Sequence, residues 1–220
     1  MCIRDRKLRL SAESTVDQTL YDEINPKDSL DAIKSKLALR ITHTIDETNR
    51  SLDDAALQAA SQLIADKASV YVYGLGASNV VATDFEQKFI RIGKAVIHSQ
   101  DPHLLAVGMT TQRQNVVLLL ISNSGEKSES IRLANLAHSI NIPVIVLSRN
   151  ATSTLGKLAD IILINDDSEE NQTARAAATT SLMAQLYVVD LLYYTFITND
   201  YERHIKQLVA SREAIKENFN

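Results

Sequence analysis

Apolar residues follow two alternating patterns along the chain. Short apolar runs lie at positions 70–73, 95–98, 116–121, 144–147 and 161–164. In the segments between these runs, apolar residues recur every three or four positions, which is the spacing of one helix face. Strands that alternate with helices in this way predict a parallel sheet with helices covering both of its faces.

Helical patterns also precede the first strand. Apolar residues share one face of a predicted helix that begins near Asp28: Leu30, Ile33, Leu37, Ile41 and Ile45. A second helix continues to about residue 65, and Ser51 followed by Asp54 is an imperfect helix-start signal for it. We therefore predict an irregular polar tail at 1–27, a helical linker at 28–66 and an α/β domain at 67–220. The first six residues look foreign to the sequence that follows.

The chain closes with two predicted helices, at about 174–198 and 201–217. The first of these is rich in Ala, Leu, Val and Tyr, but Ser181, Gln185 and Asp190 interrupt its apolar character. These polar residues favour a helix buried in the protein or facing another subunit over a helix that spans a membrane.

Composition and charge narrow the class of protein. The chain has 220 residues and a formal charge of −4, which argues against a broad nucleic-acid-binding surface. Cys2 is the single cysteine, so a disulfide framework and a cysteine metal site within one chain are both excluded. The N-terminus has no signal-peptide pattern. These features predict a cytoplasmic protein.

Two loops rich in small and polar residues follow the first and third predicted strands. The first contains Gly74, Gly76, Ala77, Ser78 and Asn79. The second contains Ser122, Asn123, Ser124, Gly125, Glu126, Lys127 and Ser128, with Glu126 expected in the first turn of the next helix. Such strand-to-helix turns offer free backbone N–H groups, hydroxyl donors and the positive end of a helix dipole, which together suit a phosphate.

Nucleotide cofactors fit these loops poorly. The first loop lacks the third glycine of the dinucleotide-binding fingerprint, because Asn79 occupies that position, and no acidic residue ends the next strand. The second loop lacks the Gly-Lys-Ser/Thr signature of nucleoside triphosphate sites. We expect no cofactor and no metal. For the first loop alone, a tight turn without a ligand explains the glycines equally well.

The two loops together resemble those of the SIS (sugar isomerase) family of phosphosugar-binding proteins. The resemblance implies that the serine closing the first loop, Ser78, and the serines of the second loop, Ser122 and Ser124, hold a sugar phosphate. Many members carry Thr directly after the glutamate, whereas this chain has Lys127, so the last contact falls on Lys127 or Ser128. Ser99 and Gln100 are expected as further ligand contacts. The resemblance implies a three-layer α/β/α sandwich with a five-stranded parallel sheet of order 2-1-3-4-5.

Stretches outside the loops resemble the effector-sensing part of RpiR/MurR-type transcriptional regulators. They are Lys88-Phe-Ile-Arg-Ile-Gly-Lys94, His98-Ser-Gln-Asp101 and Thr173-Ala-Arg-Ala with Leu186 and Asp190-Leu-Leu192. Members of that group carry an N-terminal helix-turn-helix domain, and residues 7–12 resemble the end of that domain. The resemblance implies a phosphosugar sensor that forms a homodimer or tetramer and contacts DNA only through a helix-turn-helix domain absent from this sequence.

An isomerase on the same fold is the alternative. It would need a base that moves a proton beside a carbonyl, and the candidates are Glu86, Glu126, Glu169, Glu170, His98 and His103. Each also has an ordinary structural interpretation, such as a helix-start residue for Glu126 or a solvated acidic loop for Glu169 and Glu170. Arg175 could contact a ligand or form a surface ion pair. We assign no catalytic residue, because the fold alone does not separate a sensor from an isomerase.

Overall fold

The sheet has the predicted topology. A computed structural model of the protein describes residue 25 and residues 27–112, 114–166 and 179–219. Five parallel strands form one sheet of order β2-β1-β3-β4-β5. The strands are β1 (Ser69–Gly74), β2 (Ala95–His98), β3 (Val116–Ile121), β4 (Val144–Ser148) and β5 (Ile161–Ile164).

The helices lie on both faces of this sheet. They are α1 (Leu30–Ser51), α2 (Asp54–Asp66), α3 (Ala77–Arg91), α4 (Pro102–Thr111), α5 (Ser128–Ser139), α6 (Thr180–Asn199) and α7 (Tyr201–Phe219). Side chains alternate along β1, so that Val70 and Val72 pack in one core with α2, α3 and α6. Tyr71 and Tyr73 pack in the opposite core with α4 and α5. The predicted three-layer α/β/α arrangement is therefore confirmed.

The order of the strands fixes where a ligand can bind. Strand β1 pairs with β2 on one side and with β3 on the other, so the chain reverses its winding direction between β1 and β3. In the β1–β3 pair, Gly74 lies opposite Ile121. The loops that follow these two residues are the two serine-bearing loops, and they therefore emerge side by side at the carboxyl edge of the sheet.

Helix α6 is apolar on several faces because neighbours surround it within the same chain. Val188, Val189, Leu192 and Phe196 are buried in the core that α6 shares with α2 and α3. Burial within one chain thus accounts for the composition that suggested a subunit interface, and the dimer remains a prediction. The predicted start of this helix, residues 174–178, lies outside the described residues, as does the tail up to residue 24.

Several helix ends differ from the sequence predictions. Asp53, and not Ser51, caps α2, because its side chain accepts a hydrogen bond from the Ala55 N–H, while Ser51 is the last residue of α1. Helix α5 begins at Ser128, so Glu126 precedes the helix and does not lie in its first turn. The brief helix expected at 152–159 is a 3-10 turn at Gly156–Leu158. The Asp101–Pro102 start of α4 is confirmed, since Asp101 accepts from the His103 N–H at 2.8 Å.

Of the helices in the part of the chain that the structure describes, none combines the length and apolar character needed to cross a membrane. The division at residues 27 and 66 remains a prediction. The described part of the predicted linker does contribute to the main core through Leu57, Ala60 and Ile64 of α2.

Candidate functional site

A pocket of about 180 Å³ lies at the carboxyl ends of β1 and β3. The two serine-bearing loops and helix α6 form it. Its described lining consists of hydroxyl and amide side chains, one ammonium group and apolar groups: Leu75, Ala77, Ser78, Ile121, Ser122, Asn123, Ser124, Lys127, Ser181 and Gln185. Six of the predicted ligand-binding residues therefore meet in one pocket: Ala77, Ser78, Ser122, Asn123, Ser124 and Lys127.

The first loop turns sharply from β1 into α3. Gly76 occupies the N-cap position with φ 62° and ψ −124°, a conformation that essentially only glycine adopts without strain. The turn brings Ser78, in the first turn of α3, to a position where it is only 8% exposed. Its hydroxyl donates to the side-chain oxygen of Gln185 at 3.2 Å. The first loop is thus fixed to α6.

The second loop presents a buried hydroxyl that no described residue binds. Ser122 is 3% exposed, and its Oγ has no hydrogen-bond partner among the described residues. Its carbonyl accepts from the Gly125 N–H at 3.1 Å, and the Glu126 N–H donates to Ser124 Oγ at 3.3 Å, so the loop folds back on itself. An unpaired buried hydroxyl costs about 1–3 kcal/mol, which a ligand could recover.

Gly125 permits a close approach of this loop to the segment after β4. Its φ is +67°, and a Cβ built on it would lie 2.1 Å from Ser153 Oγ. The Leu155 N–H donates to the Gly125 carbonyl at 2.9 Å, and Ser148 Oγ donates to the Asn123 carbonyl at 3.1 Å. Hydrogen bonds from β4 and from the segment that follows it therefore hold the second loop in position.

Helix α6 supplies two pocket residues that the sequence analysis did not assign. Ser181 and Gln185 line the pocket and lie four positions apart, hence on one face of the helix. Gln185 is 2% exposed, and its Nε2 has no hydrogen-bond partner among the described residues. The available signal was this pair of polar residues, one turn apart, in a helix rich in apolar residues.

The electrostatics of the pocket suit an anion. Helices α3 and α5 both begin beside it, at Ala77 and Ser128, so their positive dipole ends lie at the two loops. Lys127, the N-cap residue of α5, adds a formal positive charge to the lining. Hydroxyl and amide donors, two helix N-termini and an ammonium group together match a phosphoryl group.

The structure places Glu126 away from the pocket. Its Oε1 accepts a hydrogen bond from the Thr154 N–H at 2.8 Å, which joins the second loop to the segment after β4. The bonds from the Thr154 backbone and side chain hold the pKa of the Glu126 carboxyl below its usual value, with a smaller contribution from the charge of Lys157. Ser128 also points elsewhere, since its hydroxyl donates to the Glu129 carboxylate at 3.2 Å.

Asn79 binds a histidine and does not line the pocket. His98 Nδ1 lies 3.0 Å from Glu86 Oε2, and His98 Nε2 lies 3.0 Å from Asn79 Oδ1. The carboxylate requires a proton on Nδ1. Nε2 then either carries a second proton or accepts from the Asn79 amide after a 180° rotation of that amide, because amide orientation is assigned and not observed. His98, a candidate base, is thus bonded at both ring nitrogens.

A second pocket of about 480 Å³ adjoins the first through Leu75, which lines both. Gln100 and His103 line this second pocket together with Tyr73, Glu129 and Arg132. Burial raises the pKa of Tyr73, and the negative charges of Glu129 and Asp101 raise it further. Ser99 is in neither lining, and its hydroxyl accepts from the Asp101 N–H at 3.0 Å.

The remaining candidates fall outside the described residues. Glu169, Glu170 and Arg175 lie in the segment 167–178, which the structure does not describe. Within the described ranges, no group of three or more His, Cys, Asp or Glu side chains is placed to hold a metal ion.

The sequence model of the SIS domain family matches residues 63–194. The HTH-type transcriptional regulator YbbH of Bacillus subtilis is 32% identical over 196 residues, which cover 89% of this chain and 69% of YbbH. The HTH-type transcriptional regulator HexR of Escherichia coli is 30% identical over 215 residues, which cover 97% of this chain and 73% of HexR.

Solved structures share the fold. The NanR protein of Vibrio vulnificus, solved in complex with ManNAc-6P, matches with a TM-score of 0.78 at 24% identity, over 96% of this chain and 74% of NanR. The sugar isomerase domain of an RpiR transcription factor from Sphaerobacter thermophilus matches with a TM-score of 0.71 at 17% identity. The match covers 82% of this chain and 98% of that domain. A phosphoheptose isomerase from Francisella tularensis matches with a TM-score of 0.64 at 20% identity. The match covers 78% of this chain and 99% of the isomerase.

Proposed function

Because the chain belongs to the SIS domain family and is homologous to HTH-type transcriptional regulators, we propose that it is the phosphosugar-sensing part of such a regulator. In this proposal the pocket between β1, β3 and α6 binds the phosphate of a sugar phosphate. Ser78, Ser122, Ser124 and Lys127 contact the phosphoryl oxygens.

The observation that carries the proposal is the pair of unpartnered buried groups in the pocket. Ser122 Oγ and Gln185 Nε2 both belong to the lining, and neither has a hydrogen-bond partner among the described residues. Both are donors, and a phosphoryl group offers several acceptor oxygens. Charge-assisted hydrogen bonds to such a group would satisfy both donors at once and would be stronger than bonds to a neutral acceptor.

The chemistry of the lining favours sensing over catalysis. Moving a proton beside a carbonyl requires a carboxylate or imidazole within hydrogen-bond reach of the substrate. The described lining offers hydroxyls, amides and the Lys127 ammonium group. Glu126 is bonded to Thr154, and His98 is bonded to Glu86 and Asn79. These contacts support a binding site whose residues hold a ligand without transforming it.

Control of DNA binding completes the proposal. The chain spans about 70% of the length of YbbH and HexR, both of which are named for a helix-turn-helix motif. We assign DNA contact to a helix-turn-helix domain on the N-terminal side of α1, in a homodimer or tetramer. Ligand binding then shifts the population between states that differ in their affinity for operator DNA.

Thermal unfolding with and without sugar phosphates tests the proposal. The panel consists of fructose 6-phosphate, glucose 6-phosphate, ManNAc-6P and inorganic phosphate, with fructose and glucose as uncharged controls. A ligand present at about 100 times its dissociation constant adds about 2.7 kcal/mol to the free energy of unfolding. We expect stabilisation by at least one phosphate compound and none by the uncharged sugars. If all four phosphate compounds leave the melting temperature unchanged, the proposal is wrong.

The same samples test the second candidate function, a phosphosugar isomerase. The observation that favours it is the His98–Glu86 pair, since a carboxylate bonded to Nδ1 is an arrangement that orients a histidine base. The test is NMR detection of aldose–ketose interconversion of the bound sugar. If the unaltered protein interconverts the sugar and the His98→Gln variant does not, the protein is an isomerase and the sensor proposal is wrong. Stabilisation without interconversion supports the sensor.

A further inference from the structure

The second loop is hydrogen-bonded to a buried asparagine at the end of β5. Asn123 lines the pocket between Ser122 and Ser124, and its Oδ1 accepts from Asn165 Nδ2 at 3.1 Å. Asn165 is fully buried, and its backbone N–H donates to the Ser148 carbonyl at 3.1 Å. Its own Oδ1 is buried and without a hydrogen-bond partner among the described residues. The backbone of Asn165 is therefore held in place, while its side chain uses only part of its hydrogen-bonding capacity.

The next residue along the chain is bonded to helix α1. The Asp166 N–H donates to Thr48 Oγ1 at 3.1 Å. Thr48 is fully buried in the last turn of α1, and its carbonyl accepts from the Leu52 N–H that ends the helix. Three adjoining contacts thus connect the pocket to the C-terminal turn of α1: Asn123 to Asn165, Asn165 to Asp166 through the chain, and Asp166 to Thr48.

A second connection reaches the same turn from the other side of the pocket. Helix α6 lines the pocket with Ser181 and Gln185. Half a turn beyond Gln185, Tyr187 donates its hydroxyl to Asn49 Oδ1 at 2.8 Å. Thr48 and Asn49 are neighbours in α1, so the segment after β5, which is bonded to Asn123, and helix α6 both bind the C-terminal end of α1.

We propose that occupancy of the pocket is transmitted to helix α1 through Asn165 and Thr48, with Tyr187 and Asn49 as the second connection. This inference rests on the proposed function, because it describes how binding at that site is read. A phosphate that recruits the side chains of Asn123 and Gln185 changes the bonding available to Asn165 and the position of α6. Both changes act on the last turn of α1, and one turn earlier Thr44 Oγ1 is a further buried hydroxyl without a partner among the described residues.

The contacts of Asn165 and Thr48 are suited to this role because both residues are fully buried and have few alternative partners, whereas the bond between Tyr187 and Asn49 is exposed. In a low-dielectric interior a lost partner is not replaced by water, so a bonded and a broken arrangement differ by a definite free energy. Helix α1 lies on the N-terminal side of the sheet domain, where the proposed DNA-binding domain would attach. Spatial adjacency alone does not establish such coupling, so the test must measure the response of α1 to the ligand.

Hydrogen exchange followed by mass spectrometry on the full chain provides that test. The probes are fructose 6-phosphate, ManNAc-6P and inorganic phosphate, each added to saturation as judged by calorimetry. In the unaltered protein we expect a bound probe to slow exchange in a peptide covering 44–52 by about fivefold or more. A peptide covering 122–128 reports direct contact with the probe and serves as the internal control.

Two variants break the connections. Thr48→Val keeps the side-chain volume but removes the acceptor for the Asp166 N–H, and Tyr187→Phe removes one hydroxyl from a partly exposed side chain. The second variant keeps the test valid if the first fails to fold. We expect each to retain protection of 122–128 and to lose at least half of the ligand-induced protection of 44–52. Thr110→Val, in which an exposed α4 hydroxyl bonded to its own helix is removed, should behave as the unaltered protein.

The outcomes separate the two claims. Protection of 122–128 without protection of 44–52 in the unaltered protein overturns the coupling and leaves the proposed function standing. Equal protection of 44–52 in the unaltered protein and both folded variants also overturns it. Absence of binding in calorimetry by all three probes and by glucose 6-phosphate instead contradicts the proposed function itself.

Discussion

The hydroxyl of Ser78 donates a hydrogen bond to the side-chain oxygen of Gln185 at 3.2 Å, although 107 positions separate the two residues. This contact joins the first turn of α3 to helix α6 at the carboxyl edge of the sheet. The contact uses the oxygen of the Gln185 amide, and both Gln185 Nε2 and Ser122 Oγ, which line the same pocket, have no partner among the described residues. The protein thus holds two donors in place before any ligand arrives, which reduces the ordering cost of binding.

Removal of the Ser122 hydroxyl should separate binding from stability. In Ser122→Ala we expect the free energy of unfolding of the unliganded protein to be unchanged or slightly increased, because the lost hydroxyl is buried and has no partner in the described part of the chain. Affinity for the stabilising sugar phosphate should fall by about 1–3 kcal/mol, because a charge-assisted bond is lost. Urea unfolding and calorimetry measure the two quantities.

Ser130→Ala is the matched control for this variant. Ser130 is also a buried serine with an unpartnered Oγ, but it lies in α5 and does not line the pocket. It should change stability in the same way and leave affinity unaltered. Equal affinity losses in Ser122→Ala and Ser130→Ala would contradict our placement of the phosphate.

A negative charge at position 185 should oppose the ligand. Gln185→Glu keeps the shape of the side chain and an acceptor for Ser78, but it replaces the unpartnered amide donor with a carboxylate oxygen beside the bound anion. We expect affinity for the sugar phosphate to fall by about 2 kcal/mol or more at neutral pH, as measured by calorimetry. Gln62→Glu introduces the same charge at an exposed position on α2 and should leave affinity unchanged. Retained affinity in Gln185→Glu would exclude Gln185 from the site.

The contact between Glu126 and Thr154 should make the second loop sensitive to acid. The folded-state pKa of Glu126 lies below its ordinary value of 4.5. A depressed carboxylate pKa stabilises the folded loop above that ordinary value, and the stabilisation is lost as the pH falls through the lowered pKa. We expect the protection factor of the Thr154 amide, measured by NMR, to be constant from pH 7 to about pH 5 and to decrease below about pH 4.5.

Glu126→Gln should abolish most of this pH dependence and lower the Thr154 protection factor at neutral pH, because an amide oxygen is a weaker acceptor than a carboxylate. Glu213→Gln, at an exposed position on α7, provides the control and should retain the unaltered profile. A Thr154 protection factor that is independent of pH in the unaltered protein would mean that the ionised contact does not support the loop.

His98, which is bonded at both ring nitrogens, should contribute to the stability of the fold and not to turnover of a ligand. In His98→Leu, Glu86 and Asn79 both lose a partner at a site where the His98 side chain is only 9% exposed. We expect the free energy of unfolding in urea to fall by about 1–3 kcal/mol. His138→Leu, which removes a more exposed histidine 3.5 Å from Asp160, should cost less. A large loss of stability in His138→Leu and none in His98→Leu would contradict this assignment.

Local sequence signals identified the two loops because each loop directly follows a strand. In a parallel sheet the carboxyl ends of all strands lie at one edge, so the sequence predicts that Ser78 and Ser122 lie at the same edge of the sheet. The same reasoning did not reach Gln185, because no rule of spacing connects α6 to β1. It also misplaced Glu126, which precedes α5 and is bonded to Thr154, a residue from another part of the chain.

The sequence by itself determined the alternation of strands and helices and the loops able to bind an anion. These properties follow from hydrophobic periodicity and from turn residues that act over a few positions. Only the tertiary structure decided which polar groups share the pocket, that Asn79 binds His98 and that Asn165 connects Asn123 to α1. Those contacts join residues far apart in the chain, and their geometry depends on how helices pack against the sheet, which no local pattern encodes.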